Sequence, residues 1–301
     1  MKTLLTGANG LVGRAIKADI RLKGSSDLDL TNQKETYDIF KRYDPDVVIH
    51  TAAKVGGLGA NINYVNDFYV DNVLINTNVL EASRKVGVTR LISFLSTCIF
   101  PDEIEYPLNE LKLHLGEPHD SNFGYAYAKR MLEVQSRAVN RQYNLNYDCI
   151  IPTNIYGPHD NFSIDDGHVL PSLIHKCYLA KRGSTDFVVW GSGKPLREFI
   201  FSKDIAEIVS KLVERGKSFG SLIVSPSREI SIGEVAELIA KHLGFRGNIV
   251  YDKSKPDGQL RKPTDNSKLM SLLPDTEFTP IEDGICETVE WFVENYKSCR
   301  K

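Results

Sequence analysis

The chain has 301 residues, about twice the length of a typical domain. Its 37 basic and 39 acidic residues leave a net charge of -2, a balance that favours neither a nucleic acid nor a membrane surface as a partner. The five cysteines are odd in number and scattered without a C-x-x-C pair, which argues against a disulfide framework and against a zinc site, so we expect no metal.

The start of the chain leads directly into a short strand and a glycine turn. No apolar stretch approaches the roughly 20 residues that are needed to cross a bilayer. We therefore expect a protein without a signal peptide or a membrane span that works in the reducing cytoplasm.

Strand and helix patterns alternate through the first half of the chain. Apolar runs predict strands at 2–6, 46–50, 91–95 and 147–151, and helical periodicity predicts helices from about residue 11 and at 33–42, 68–85 and 125–141. This order is typical of an α/β fold with a doubly wound, Rossmann-type parallel sheet. The link between the first helix and Leu28 is so short that the second strand cannot be placed.

Beyond Pro152 the alternation gives way to loops rich in glycine and proline. Helices are expected there at 171–180, 202–215, 232–243 and 285–296. We interpret this half as a smaller α/β substrate-binding lid. The chain is thus divided into a dinucleotide-binding domain, residues 1–155, and a substrate-binding domain, residues 156–301, with a boundary that is approximate and crossed more than once.

A glycine-rich turn joins the first strand to the first helix. Its glycines have separate tasks: Gly7 permits the tight turn, Gly10 lets backbone approach a phosphate, and Gly13 lets the helix lie close to the sheet. Backbone N–H groups and the helix dipole at such a junction can hold a pyrophosphate. The turn therefore predicts a dinucleotide site made by Gly7, Ala8, Asn9, Gly10, Leu11, Val12 and Gly13.

The region that would distinguish NAD from NADP follows at residues 23–27. It offers Lys23 for a 2′-phosphate and Asp27 for a ribose hydroxyl. These residues leave both dinucleotides open.

Tyr125 and Lys129 lie four residues apart in a helical pattern and so share one helix face. A neighbouring ammonium favours phenolate, so we expect Lys129 to bring the pKa of Tyr125 down from about 10 towards the range where proton transfer is efficient. The pair indicates acid catalysis on a carbonyl group.

Ser96 and Cys98 follow the strand-like run 90–95. Residues two apart on extended chain share a face, so both side chains are expected in one cleft. A free cysteine is often only a buried small side chain. Its place two residues after Ser96 favours a functional role here.

The glycine turn, Ser96 and the Tyr125/Lys129 pair together resemble the extended short-chain dehydrogenase/reductase family. Within that family, longer strings resemble the branch of GDP-L-fucose synthases, the GDP-4-keto-6-deoxymannose 3,5-epimerase/4-reductases. These strings extend over nearly the whole chain and are Ala52-Ala-Lys-Val-Gly-Gly57, Ser96-Thr-Cys-Ile-Phe-Pro101, Pro152-Thr-Asn-Ile-Tyr-Gly-Pro-His-Asp-Asn-Phe162, His168-Val-Leu-Pro171, Val189-Trp-Gly-Ser-Gly193, Arg197-Glu-Phe199 and Ser254-Lys-Pro-Asp-Gly258.

The resemblance implies an enzyme that converts GDP-4-keto-6-deoxy-D-mannose to GDP-L-fucose by 3,5-epimerisation followed by NADPH-dependent 4-keto reduction. Ser96 and Tyr125 would bind and protonate the ketone, and Lys129 would hold the nicotinamide ribose. Inverting a carbon beside a ketone needs proton-transfer groups on both faces of the ring. The resemblance assigns that task to Cys98, as thiolate, and His168, both of which we expect to titrate near neutrality.

The resemblance also implies binding residues and partners. Those for the cofactor, besides the glycine turn and Lys129, are Ala52, Ala53, Pro152, Asn154, Ile155 and His168. Those for the GDP-sugar are Lys176, Trp190, Arg197 and Asp257. A homodimer with the Tyr125 helix at its interface is expected, and a 4,6-dehydratase acting on GDP-mannose is the implied supplier of substrate.

This chain departs from the family pattern at three positions. Asn9 and, near the second strand, Ser25 stand where the family carries arginine, so the NADP preference has less support than the chemistry. Lys176 also replaces an arginine, which makes its phosphate contact a point charge instead of a planar fork.

Two alternatives stay open. One is another NAD(P)-dependent sugar-nucleotide epimerase, reductase or dehydratase of this fold, although a dehydratase is expected to carry an acid after the catalytic serine, where Thr97 and Cys98 stand. The other is a non-enzymatic NADP sensor, which would have no need of Tyr125 and Lys129. Without the resemblance, His168 would be read as an ordinary loop histidine and Trp190 equally well as a core residue.

Overall fold

The computed structural model describes residues 1–24, 27–255 and 257–301; for Leu58 it describes the backbone alone. Ser25, where the family pattern carries arginine, and the proline of the 254–258 string lie outside the described residues.

A six-stranded parallel sheet organises the first half of the chain. Every neighbouring pair of its strands is parallel, which confirms the predicted α/β, Rossmann-type fold. In spatial order the strands are β2 (Ile20–Leu22), β1 (Thr3–Thr6), β3 (Val47–His50), β4 (Arg90–Phe94), β5 (Asn146–Pro152) and β9 (Ser221–Val224). The second strand, which the sequence left unplaced, is the three-residue β2.

Helices cover both faces of this sheet. One face packs against α2 (Gln33–Tyr43), α4 (Val65–Lys85) and α5 (Phe123–Tyr143), around a core that includes Phe40 and Leu132. The other face packs against α1 (Leu11–Ala15), α7 (Ser202–Arg215) and α9 (Ser267–Leu272). The short helix α3 (Leu58–Asn63) precedes α4. Strands with apolar residues on both faces are what a doubly covered parallel sheet requires.

A second core lies in the other half of the chain. Helices α6 (Val169–Gly183), α8 (Ile232–Leu243) and α10 (Ile281–Glu294) pack there around Phe187 and Phe292. Two small sheets accompany them: β10 (Glu229–Ser231), β8 (Leu196–Phe201) and β6 (Asn154–Tyr156) in one, β11 (Ile249–Asp252) and β7 (Phe187–Trp190) in the other.

Strand β9 and helix α7 belong to the first core although they follow residue 155. The chain therefore passes between the two cores more than once, and the division into residues 1–155 and 156–301 stays a prediction. In the described part of the chain, no helix combines the length and the apolar character that crossing a membrane demands.

The carboxyl ends of β1, β3, β4 and β5 meet at one edge of the six-stranded sheet. Ligands of open α/β sheets bind outside this edge. The segments that leave it contain the glycine turn, Ala52 and Ala53, Ser96 to Cys98, and Thr153 to Ile155, so the fold gathers most of the predicted site.

Candidate active site

The glycine turn is shaped by contacts that larger side chains would prevent. Gly7 has φ 73°, and a Cβ atom there would lie 2.7 Å from the backbone nitrogen of Ala52. At Gly13 a Cβ would overlap the carbonyl oxygen of Gly7 and lie 2.8 Å from Cα of Ala8. Gly10 borders a large cavity, where its own Cβ would approach the Gly7 oxygen at 3.3 Å. The turn is thus closed on the protein side and open on the cavity side.

Helix α1 begins at Leu11 and has only five residues. The expected contribution of a helix dipole is therefore small, because the dipole depends on aligned peptides. What the turn offers an anion is the backbone N–H groups of its first helical residues, which have no acceptor within the helix. The side chain of Ala8 is buried in the core, and its N–H donates to the Leu22 oxygen at 2.9 Å, so this residue supports the turn from behind.

A cavity of about 890 Å³ extends from the glycine turn along the edge of the sheet. It is large enough for a dinucleotide, and its walls change in character along its length. The glycine turn lies beside the segment 22–24 with Leu28, Asp29, Leu30 and Thr31, and further along come Ala52, Ala53, Lys129, Pro152, Asn154 and Ile155. The open backbone at Gly10 and the cavity's length fit a dinucleotide whose pyrophosphate lies at the turn.

A smaller cavity of about 270 Å³ adjoins the first. Cys98 and Arg197 line it, and Ser96, Tyr125 and His168 line both cavities. The predicted catalytic side chains therefore stand where the dinucleotide cavity meets a second space, which is of the size of a small sugar ring.

Ser96 and Cys98 reach this cavity by a different local structure from the one expected. Residues Thr97–Ile99 form a 3-10 turn instead of extended chain, and the Cys98 N–H lies 3.4 Å from Ser96 Oγ, which accepts a hydrogen bond from it. The extended chain predicted from Ser96 to Cys98 was therefore wrong. The tight turn nevertheless places both side chains along the same wall.

Tyr125 and Lys129 share one face of α5, and Lys129 Nζ lies 5.8 Å from the centre of the Tyr125 ring. Lys129 is only 2% exposed and donates to the carbonyl oxygen of Phe94 at 2.7 Å. Burial raises the pKa of the Tyr125 phenol above its ordinary value, and the Cys98 sulfur adds to the rise. Burial also lowers the pKa of Lys129 to about 8. The expectation that the ammonium would depress the pKa of Tyr125 was wrong, because loss of hydration dominates.

Burial acts on Cys98 and His168 in the same sense. It raises the pKa of the Cys98 thiol, against the opposing effects of Ser96, Lys262 and Lys129. The enclosing protein also removes part of the hydration of His168 and lowers the pKa of its imidazole. The protein on its own therefore holds the neutral thiol and the neutral imidazole, and the expected thiolate near neutrality is not its resting form.

The residues predicted to contact a GDP-sugar do not all lie together. Arg197 lines the smaller cavity, and its guanidinium donates to the carbonyl oxygens of Leu196 and Gln259, each at 2.7 Å. Lys176 and Trp190 form a separate group in which the ammonium lies 3.4 Å from the ring centre.

Asp257 adjoins that separate group, since it accepts from the N–H of Ser192 at 2.5 Å in the turn after Trp190. Lys176, Trp190 and Asp257 lie outside the described linings of both cavities.

Several lining residues escaped the sequence reasoning. Glu198, Gln259 and Lys262 border the smaller cavity, and Asp160 borders the larger. Glu198 and Asp160 belong to strings that carried the family resemblance, so their positions were marked but not their roles. The segment with Gln259 and Lys262 has no periodic pattern or motif that would have pointed to the site.

Comparison with known proteins agrees with the fold and with the cavities described above. Residues 3–225 match the model of the NAD dependent epimerase/dehydratase family. A GDP-L-fucose synthase of Dictyostelium discoideum is 45% identical over 99% of this chain and 97% of its own length, and a probable GDP-L-fucose synthase of Drosophila melanogaster is 43% identical over 100% and 99%.

Among solved structures, a GDP-L-fucose synthetase of Naegleria fowleri bound to NADP superposes with a TM-score of 0.92 at 46% identity, covering 99% of this chain and 94% of that one. The likeness thus extends over the whole of both cores.

Proposed function

This chain belongs to the NAD dependent epimerase/dehydratase family, and we propose that it is the enzyme that converts GDP-4-keto-6-deoxy-D-mannose to GDP-L-fucose. The conversion consists of two inversions, at C3 and C5 of the sugar, and a reduction of the ketone at C4. The observation that carries the proposal is that a dinucleotide-sized cavity and a sugar-sized cavity meet at Ser96, Tyr125 and His168. Reduction requires this junction, because the ketone carbon must lie against the nicotinamide.

The cofactor is NADP(H), which supplies the hydride for the reduction when it is bound. The glycine turn would hold its pyrophosphate, Ala52 and Ala53 would line its middle, and residues 152–155 would line the nicotinamide. Lys129 faces the same cavity with its backbone acceptor already in place, so the ammonium is held in one position for a ribose hydroxyl.

Ser96 and Tyr125 would bind the ketone oxygen. Since burial keeps the phenol of Tyr125 protonated, it can donate a hydrogen bond to the ketone and then its proton to the alkoxide. The same two donors stabilise the enolate that forms during each inversion. One oxyanion site therefore serves both reactions.

Cys98 and His168 would exchange protons with the carbon atoms beside the ketone. In each inversion one group takes the proton from one face of the carbon while the other gives a proton to the opposite face. The carbon keeps its number of protons, and the pair interconverts between thiol with imidazole and thiolate with imidazolium. Whichever group acts as base, the thiolate is therefore formed or consumed in every inversion.

The GDP portion would extend from Arg197 towards Lys176, Trp190 and Asp257. Arg197 lies in the sugar-sized cavity, and Trp190 is 46% exposed beside the Lys176 ammonium. An aromatic face and two cations are suited to a base and a diphosphate. A 4,6-dehydratase acting on GDP-mannose is the class of enzyme that would supply this substrate.

Incubation with GDP-4-keto-6-deoxy-D-mannose and NADPH in heavy water tests the proposal. The expected product is GDP-L-fucose with deuterium at C3 and C5. Cys98→Ser should prevent that label while some unepimerised sugar is still reduced, and Cys286→Ser, at a cysteine on α10, serves as the matched control. Oxidation of NADPH without deuterium at C3 or C5 would limit the enzyme to 4-reduction, and failure to consume this ketosugar would refute the proposed substrate.

We also propose that two copies associate through α4 and α5. Large apolar side chains remain exposed on both helices, among them Tyr69 and Leu74 on α4 and Met131 and Val134 on α5. Pairing of such faces buries apolar surface symmetrically. Leu74→Asp should convert a dimer to a monomer in analytical ultracentrifugation. A monomeric parent protein would refute this arrangement.

The proposed compartment is the cytoplasm. All five cysteines of the chain are free, a state that a reducing compartment maintains. Mass measurement after alkylation of freshly lysed cells would detect any disulfide that contradicts it.

A further inference from the structure

Lys262 lines the sugar-sized cavity together with Cys98, and neither the sequence pattern nor the family match assigned it a role. We propose that Lys262 is a positioning residue for epimerisation: its ammonium stabilises the thiolate form of Cys98. This inference rests on the proposed role of Cys98 as a proton-transfer group. It adds a residue that acts on the reaction through Cys98 instead of through the substrate.

The backbone around Lys262 is fixed on both sides. The carbonyl oxygen of Leu260 accepts from the Leu196 N–H at 2.8 Å, and that of Pro263 accepts from the Leu108 N–H at 2.9 Å. Thr264 donates to the buried carboxylate of Glu198 through its N–H at 3.0 Å and its hydroxyl at 2.6 Å. These anchors fix the backbone from which the Lys262 side chain reaches the wall of the cavity.

The ammonium of Lys262 is also uncommitted. Within residues 1–24, 27–255 and 257–301 it takes part in no hydrogen bond or ion pair, whereas the other lining cation, Arg197, already donates to two backbone carbonyls. The Glu198 carboxylate faces the same cavity, but its oxygens accept from Thr264 and Ser225. Asp102 accepts from Gln259 at 2.6 Å. Among the described residues that line this cavity, Lys262 is thus the cation whose charged group has no protein partner.

Electrostatics supports the direction of the effect. Lys262 lowers the pKa of Cys98, with a larger influence than Lys129, although burial prevails and the pKa is raised overall. Cys98 in turn favours the charged form of Lys262, whose own pKa is lowered by burial and by Arg197. Because a thiolate occurs in every inversion, a cation that lines the same cavity lowers the energy of the step that forms the thiolate.

The rate at which iodoacetamide alkylates Cys98 measures the effect of Lys262 on the Cys98 thiolate, since only the thiolate reacts. The rate would be followed from pH 6 to 10 by mass spectrometry of the Cys98 peptide, with the Cys286 peptide as an internal control. Lys262→Met should displace the profile to higher pH and slow alkylation roughly threefold to tenfold at pH 7.5. Lys262→Arg keeps the charge and should retain the parent profile.

The assay needs no substrate, so a wrong assignment of the sugar would leave it intact. An unchanged profile in both Lys262→Met and Lys262→Gln would overturn the proposal. If these variants instead lost affinity for GDP while Cys98 reacted as in the parent, Lys262 would be a diphosphate ligand and the proposal would be wrong. NADPH binding, measured by fluorescence, verifies that each variant is folded.

Discussion

Asp160 allows a sharp test of how burial controls charge in this protein. Its side chain is 4% exposed at the edge of the dinucleotide cavity. One carboxylate oxygen accepts from the N–H of Asn161 at 2.7 Å, while the other has no partner among the described residues. Burial raises the pKa of this carboxyl from 3.8 to about 7, against an opposing influence of Arg300.

The sign of the stability effect follows from proton binding. Between pH 3.8 and about 7 the folded state binds the Asp160 proton more tightly than the unfolded state, so stability falls as pH rises, and the loss is complete above the folded pKa. The whole shift of about 3 units corresponds to about 4 kcal/mol, of which about 2 to 3 kcal/mol falls between pH 5 and pH 8.

Asp160→Asn keeps the acceptor for Asn161 and removes the charge. Its unpartnered amide adds a penalty that does not change with pH. The free energy of unfolding of the variant relative to the parent should therefore rise by about 2 kcal/mol between pH 5 and pH 8. Urea unfolding followed by tryptophan fluorescence at several pH values measures this difference.

Asp29→Asn is the matched control, because hydrogen bonds from Thr31 lower the pKa of Asp29. That carboxyl therefore titrates below the tested window. A difference for Asp160→Asn that stayed constant or shrank with rising pH would show that Asp160 is ionised in the folded protein at pH 5, and the reasoning from burial would be refuted.

Three further predictions concern the site itself. Gly13→Ala should lower the free energy of unfolding by about 1 to 3 kcal/mol in thermal denaturation, because the added Cβ would overlap backbone atoms of the glycine turn. Gly59→Ala is the control: its Cβ meets no described atom within 4 Å, so the melting temperature should stay nearly unchanged. Tyr125→Phe should slow NADPH oxidation by about 10² to 10⁴-fold at unchanged NADPH affinity, since it removes the proton donor, and a smaller loss would indicate another donor. Lys129→Met should have a higher melting temperature than the parent at pH 7, and this difference should disappear as the pH rises towards 10.5. The reason is that the pKa of Lys129 is about 8 in the folded protein and 10.5 when unfolded, so its charged form destabilises the fold at low pH. A difference in melting temperature that persists at pH 10.5 would contradict the lowered pKa.

Sequence patterns captured the parts of the fold that have long-range periodicity. The strands β1, β3, β4 and β5 and the helices α4 and α5 were predicted to within a few residues, because each buries a continuous or regularly spaced apolar face. Strand β2 could not be found, since three residues of which one is buried carry no period. The six strands of the later half were missed for a related reason: they have three to six residues each and stand between glycine- and proline-rich loops.

For the site, most of the predicted residues do line the two cavities at the sheet edge, whereas Lys176, Trp190 and Asp257 do not, and the expected charge states were wrong. The sequence shows that Tyr125 and Lys129 are four residues apart, and this spacing predicts that the Lys129 ammonium lies near the Tyr125 phenol. The depth at which both are buried is a property of the packed structure, and it decides the sign of the pKa shift. Lys262 was invisible for the same reason, because its position depends on how a loop without periodic pattern is anchored to distant residues.

Burial drives each reacting group towards its neutral form, and this is the common physical basis of both proposed reactions. In the protein without substrate, burial favours the protonated forms of Tyr125 and Cys98 and the unprotonated form of His168. The site can therefore offer protons and accept one without holding fixed negative charge near the ketone. In the proposed reactions Ser96 and Tyr125 stabilise the enolate or alkoxide oxygen, and Lys262 stabilises the Cys98 thiolate. Both effects are strongest where water is scarce. Because Cys98 and His168 exchange their protonation states in each inversion, Cys98 carries negative charge between the first inversion and the second, and this is the interval in which the ammonium of Lys262 matters most.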